Sequence, residues 1–108
     1  MTRLTMTPPQ RAIYERLLAA ARAVGPFRED PKKTSIHLTR RSAFAGVAAR
    51  KDALVVTIKL PADVQSPRVV KRERTSPHRW HVEVRLESPA DVDRQVQAWL
   101  KTAMDLSS

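Results

Sequence analysis

The chain has 108 residues, no cysteine and a formal net charge of +9, with 42% apolar and 29% charged residues. These values are typical of one soluble globular domain, which we expect to span residues 1–108 with a folded core over residues 7–106. The absence of cysteine excludes disulfides, thiolate nucleophiles and thiolate metal sites. No stretch approaches the roughly 18 apolar residues of a membrane-spanning helix.

The first predicted element is an amphipathic α-helix over residues 7–25. Thr7 is a good N-cap, Pro8 suits the first helical position, and Gln10 lies three residues after Thr7, as in a capping box. Gly25 followed by Pro26 ends the helix. Its apolar stripe, with spacings of three and four, is Ile13, Tyr14, Leu17, Leu18, Ala21 and Val24.

A β region follows the helix. Residues 34–40 (TSIHLTR) alternate between apolar and polar side chains, as a half-buried strand does. Residues 42–49 (SAFAGVAA) form a strand of small side chains, in which Gly46 suggests a bulge or a close backbone approach. Residues 53–60 (ALVVTIKL) form another strand, whose apolar even-numbered residues share one face.

A β-hairpin is predicted over residues 68–86, with strands RVVKRER and RWHVEVRL and the turn TSPH. The second strand has a strict period of two. One of its faces holds Trp80, Val82, Val84 and Leu86, and the other holds Arg79, His81, Glu83, Arg85 and Glu87. The apolar face therefore serves the core, and the charged face is solvated or recruits a partner.

The last predicted element is a second amphipathic helix. Ser88 is its N-cap, Pro89 its first residue and Asp91 lies in its first turn. The stripe is Val92, Val96, Trp99, Leu100 and Ala103. The chain thus predicts an α+β fold of two layers: a mostly antiparallel sheet of about five strands, with both helices on one face and the other face open. Trp80 and Trp99 are expected in the core.

Three segments carry a family resemblance: KKTSIHLTRR, SPRVVKRE and VRLESPADVDRQVQAWLKTA, of which the last is the most specific. Over residues 10–106 the chain resembles a bacterial uncharacterised family, domain of unknown function 5655. The resemblance implies a small α+β domain, standing alone or fused to others, and it brings no catalytic residues. The element order is also similar to that of frataxin-like families, at the level of the fold only.

The positive charge lies in the middle of the chain. Residues 32–85 hold thirteen basic and four acidic residues, which accounts for the whole net charge of +9. Such a field attracts polyanions, although an Arg-rich composition also keeps a small domain soluble. The aromatic residues lie mainly on core stripes, so base stacking is not expected, and any nucleic-acid binding should be through phosphates and largely independent of sequence.

Two kinds of chemistry are weighed and set aside. His78 and His81 with His37 offer three nitrogen ligands, but their spacing suits a helix better than a hairpin, and no carboxylate lies at a ligand spacing beside them. His37, His81 and Glu83 share the expected open face, where a general base would need a pocket and a perturbed pKa. We therefore expect no metal, no cofactor and no catalytic residues.

The sequence predicts a non-enzymatic, bacterial-type cytoplasmic binding domain whose partner is anionic, nucleic acid first and an acidic protein second, with no membrane. The alternative is a protein-interaction or regulatory module, or a small-ligand-binding domain, with no role in nucleic-acid binding. The candidate anion-binding residues are Arg40, Arg41, Lys59, Lys71, Arg72 and Arg85.

Overall fold

The computed structural model describes residues 6–51 and 53–107. In chain order the elements are α1 Pro8–Val24, β1 Arg28–Pro31, β2 Ile36–Thr39, β3 Ala43–Arg50, β4 Ala53–Leu60, β5 Val69–Ser76, β6 Arg79–Leu86, a 3₁₀ turn Pro89–Asp91 and α2 Arg94–Leu106. The predicted α+β class is confirmed, with one strand more than the expected five or so.

The six strands form one antiparallel sheet in the order β1-β2-β3-β4-β6-β5. Both helices pack on one face of it, which we call the helix face, and the other is the open face. The core lies between the helices and the central strands, where the even-numbered residues of β4 are at most 2% exposed. Trp99 of α2 is buried, and Trp80 is partly buried at the margin of this core.

Helix α1 begins as its sequence predicts. Thr7 Oγ1 accepts the N–H of Gln10, and Gln10 Oε1 accepts the N–H of Thr7. The Gln10 amide also donates to the carbonyls of Arg50 and Ala53, at 2.6 Å and 3.2 Å. One side chain thus caps the helix and ties it to the turn between β3 and β4.

Strand β1, with the sequence REDP, was not predicted. All four of its residues are exposed, so no alternation of apolar side chains marks it in the sequence. It pairs with β2 along its whole length. On the helix face Glu29 accepts a hydrogen bond of 2.6 Å from the Tyr14 hydroxyl, and this bond anchors the strand to α1.

The predicted bulge at Gly46 is displaced. Gly46 pairs in regular register with His37 and Thr57, while the shift in register lies at Leu38/Thr39, opposite Phe44. Phe44 turns into the core and meets Phe27 edge-on, with ring centroids 6.0 Å apart. The His37 ring lies close to Gly46: a Cβ at Gly46 would be 3.6 Å from His37 Cδ2.

The last helix begins at Arg94, five residues after Pro89, its predicted first residue. Asp91 accepts the backbone N–H groups of Glu87 and Ser88 and closes a single 3₁₀ turn. The chain then restarts with Asp93 as the N-cap of α2, accepting the Val96 N–H at 3.1 Å. The predicted apolar stripe, from Val92 to Ala103, is nonetheless buried.

Candidate functional site

The antiparallel register decides which connections meet at each end of the sheet. The start of β1, the β2–β3 connection, the end of β4 and the β5–β6 turn all lie at the same end. Six cationic residues lie there, and we call this region the cationic end: Arg28, Arg40, Arg41, Lys59, Arg74 and Arg79.

The cationic end is not neutralised by the rest of the protein. None of its six cationic side chains forms an ion pair with an acidic residue in the described parts of the chain. Two of the cations at the opposite end have partners: Lys32 lies 2.9 Å from Asp30, and Arg85 lies 2.9 Å from Glu87. The hydrogen bond from Lys32 holds the pKa of Asp30 below its usual range.

The β2–β3 connection is held firmly by the end of α2. The N–H of Arg41 donates to the Ser107 carbonyl at 3.2 Å, and the N–H of Ser42 donates to Ser107 Oγ at 3.1 Å. Ser107 Oγ donates in turn to the Ser42 carbonyl. Because Ser107 is only 5% exposed, these bonds are shielded from water, and they fix the backbone that carries Arg40 and Arg41.

A polar depression of about 270 Å³ opens at the cationic end, between this connection, the end of α2 and the β5–β6 hairpin. Lys59, Arg79 and His81 contribute nitrogen donors to its lining, and Ser42 and Thr75 contribute hydroxyl groups. Such a set of donors suits the oxygens of a phosphate or carboxylate.

A second depression, which we call the trough, runs along the open face with a volume of about 380 Å³. Small side chains of β3 form its floor: Ala43, Gly46 and Ala48. His37 on β2 and His81 on β6 line it from either side, with Thr57 and Lys59 of β4 between them. The trough shares Ala43, Lys59 and His81 with the polar depression, so the two form one continuous cleft.

Three of the six predicted anion-binding residues lie at the cationic end, namely Arg40, Arg41 and Lys59. Lys71 lies on the open face of the edge strand β5, opposite Glu83. Arg85 lies on the open face at the other end of the sheet, where Glu87 neutralises it.

Arg72 points away from the predicted surface. It pairs with Val82 and so lies on the helix face, where its Nε is 2.8 Å from Asp63 Oδ1. Three cations of the cationic end were not in the predicted set: Arg28, Arg74 and Arg79. Of these, Arg74 pairs with Trp80 and so lies on the helix face, as Arg72 does. The alternation of RWHVEVRL places Arg79 on the face of His81, but only the strand order places it at the same end of the sheet as Arg40.

The three residues considered for acid–base chemistry do share the open face: His37, His81 and Glu83. Neither imidazole makes a hydrogen bond with a described residue. His78 lies in the turn before β6. Within residues 6–51 and 53–107, no three histidine or carboxylate side chains are grouped as metal ligands.

A family model described as Domain of unknown function (DUF5655) matches residues 4–107. The chain belongs to the DUF5655 family. No curated protein and no solved structure matches it. The DUF5655 match covers the sheet, both helices and the whole cationic end, so the cleft lies within the family domain and not on an addition to it.

No helix in the described part of this DUF5655 chain is long and apolar enough to cross a membrane.

Proposed function

We propose that this DUF5655 protein is a non-enzymatic domain that binds nucleic acid through backbone phosphates at the cationic end. One observation carries the proposal: six cationic residues lie at this one end of the sheet without an acidic partner among the described residues, whereas seven of the other described cations are in ion pairs. Unpaired positive charges at one end of the sheet repel one another, and a bound polyanion reduces this repulsion.

The chemistry of the cations supports phosphate as the group recognised. Five of the six are arginines, whose planar guanidinium donates two parallel hydrogen bonds to a phosphate. The helices reach this end only with their C-terminal residues, as Ser107 does beside Ser42. No helix is therefore placed to read a groove along its length, and the proposed binding is largely independent of sequence. The proposal keeps the expectation of a bacterial cytoplasmic protein, to which nucleic acid would be accessible.

The test is a gel-shift titration from about 50 to about 200 mM salt, a range over which phosphate binding weakens steeply. The variant is Arg40→Ala with Arg41→Ala, and the matched control is Arg50→Ala with Lys51→Ala. The control removes the same charge from another exposed turn at the opposite end of the sheet. We expect the first pair to weaken binding to every sequence and to flatten the salt slope by about two units on duplex DNA, and the control to change little.

Three outcomes contradict the proposal. Absence of any shift at the lower salt excludes nucleic acid and leaves an acidic protein as the anionic partner. If the two double variants weaken binding equally, binding depends on the net charge of the protein and not on the cationic end. Loss of thermal stability in Arg40→Ala/Arg41→Ala with unchanged binding shows that these arginines serve only to compensate the C-terminal ends of the helices beside them.

A further inference from the structure

The continuous cleft combines two chemistries in neighbouring places. The trough is lined mainly by apolar atoms and has a flat floor, since Ala43, Gly46 and Ala48 project at most one carbon from the backbone. The polar depression next to it is lined by two cations and three hydroxyl groups. Lys59 belongs to both, and it forms no ion pair with a described residue.

The imidazoles make the trough suitable for a planar ring. His37 stands on β2, next to the β3 floor of the trough, and His81 stands on β6, on the far side of β4. Histidine rings stack on nucleobases, as the larger aromatic side chains do. Both imidazoles are partly exposed. The trough volume of about 380 Å³ also falls in the range of small-ligand sites, about 300–1,000 Å³.

We propose that the cleft holds one nucleotide unit, with its base in the trough against His37 or His81 and its phosphate in the polar depression at Lys59 and Arg79. This rests on the proposed function and makes it more specific, because a base can enter the trough only when it is unpaired. The protein then prefers single strands to duplex. A nucleotide within a strand and a free nucleotide share this chemistry.

Gly46 offers a way to fill the trough without disturbing the fold. It lies in regular strand register, and a Cβ there would make ordinary contact with His37 at 3.6 Å. Gly46→Val therefore places a residue with high strand propensity on the floor of the trough. Ala48→Val fills it from a neighbouring position and serves if the first variant folds poorly. Val55→Ile adds one carbon to the same face outside the trough and is the matched control.

The probes are a fluorescent twelve-nucleotide oligothymidylate, its duplex with oligoadenylate, and thymidine 5′-monophosphate. We expect the single strand to bind more tightly than the duplex. Gly46→Val and Ala48→Val should weaken single-strand binding about tenfold, the loss of roughly one stacked base, and leave duplex binding within about twofold. Val55→Ile should change neither. If thymidine 5′-monophosphate competes with the single strand and this competition is lost in Gly46→Val, the occupant is a free nucleotide. If the monophosphate does not compete, the occupant is a nucleotide within a strand.

The failure of this inference differs from that of the proposed function. If folded Gly46→Val binds the single strand as the wild type does, the trough takes no base, and the phosphate contacts of the cationic end still stand. If Gly46→Val weakens binding but Arg40→Ala/Arg41→Ala leaves the salt slope unchanged, the cleft is a nucleotide site and the proposed phosphate surface is wrong.

Discussion

At the scale of single residues, Tyr14 shows how one buried polar group positions part of the functional surface. Its hydroxyl is buried and donates to Glu29, which also lies 3.4 Å from the Arg22 guanidinium. Burial first, and then the hydrogen bond to the Glu29 carboxylate, raise the pKa of Tyr14 well above its ordinary value. Because β1 has no buried residue, this contact helps to hold the strand that carries Arg28.

Tyr14→Phe should destabilise the fold by about 1–2 kcal/mol, because it removes a hydrogen bond to a charged group from a mostly buried site. It should also change the response to alkali. The folded-state pKa of Tyr14 lies above the unfolded value of 10.0, so its contribution is fully present below pH 10 and is lost as pH rises towards the folded pKa. Urea unfolding of both proteins at pH 8 and above pH 10 measures the difference.

The wild type should lose more stability than Tyr14→Phe between these two pH values. Subtracting the two curves cancels the common titration of lysines. A constant difference between the proteins across the range would show that the tyrosine proton is not retained by folding.

At the scale of elements, the start of α2 depends on Asp93. Its carboxylate accepts the N–H of Val96 and pairs with the Arg68 guanidinium. Burial opposes ionisation of this carboxyl, but the backbone hydrogen bond and Arg68 outweigh it and hold the pKa of Asp93 below its usual range. Arg68 lies in the loop before β5, so the same pair joins the hairpin to the helix.

Asp93→Asn keeps a good N-cap and loses the ion pair with Arg68. The cost should be below about 1 kcal/mol at neutral pH, since the Asp93 side chain is 40% exposed. The folded pKa is depressed, so this stabilisation is present above the unfolded value of 3.8 and is lost as pH falls through the folded pKa. Urea midpoints at pH 6 and at steps below pH 4 should show wild type and variant converging.

Asp105→Asn is the matched control for this prediction. Asp105 forms an exposed ion pair with Lys101 within the same helix, 3.2 Å apart. Its removal should have little effect at any of these pH values. A wild-type advantage over Asp93→Asn that persists below pH 3 would contradict the assignment to the carboxylate.

At the scale of the whole molecule, net charge opposes folding. The chain carries +9, and the cations of the cationic end have no acidic partner among the described residues to offset their repulsion. The seven ion pairs found in the described residues are mostly exposed and contribute little each. Dissolved salt screens both the repulsion among the cations and the attraction within the ion pairs. Because the repulsion is the larger of the two, added salt should stabilise the fold.

Raising sodium chloride from about 20 to about 500 mM should stabilise the protein at neutral pH, by roughly 1 kcal/mol or less. The gain should be smaller in Arg40→Ala/Arg41→Ala, because part of the repulsion has been removed. Thermal or urea unfolding at both salt concentrations measures it. A wild type that loses stability with salt would mean that the ion pairs outweigh the clustered charge.

Local patterning was sufficient to predict most of the elements. The capping box at Thr7, the period of two in β4 and β6, and the apolar stripes of both helices are all found where the sequence indicates, because burial of one face imposes these periods directly. The exceptions are elements that are stabilised by contacts and caps rather than by an apolar pattern of their own. Strand β1 depends on pairing with β2 and on Tyr14, and the start of α2 depends on whether Ser88 or Asp93 caps it.

The sequence by itself determined three properties of this protein: its α+β class, which faces of its elements are buried, and its excess of positive charge. Only the tertiary structure decided where that charge lies. Arg40, Lys59 and Arg79 are far apart in the chain and lie at the same end of the sheet because β3 pairs with β4 and β4 pairs with β6, while Arg72, in the same basic run as Lys71, turns to the helix face and pairs with Asp63. The strand order and the register shift at Val69/Lys71 set these positions through long-range pairing, which no local pattern of residues encodes.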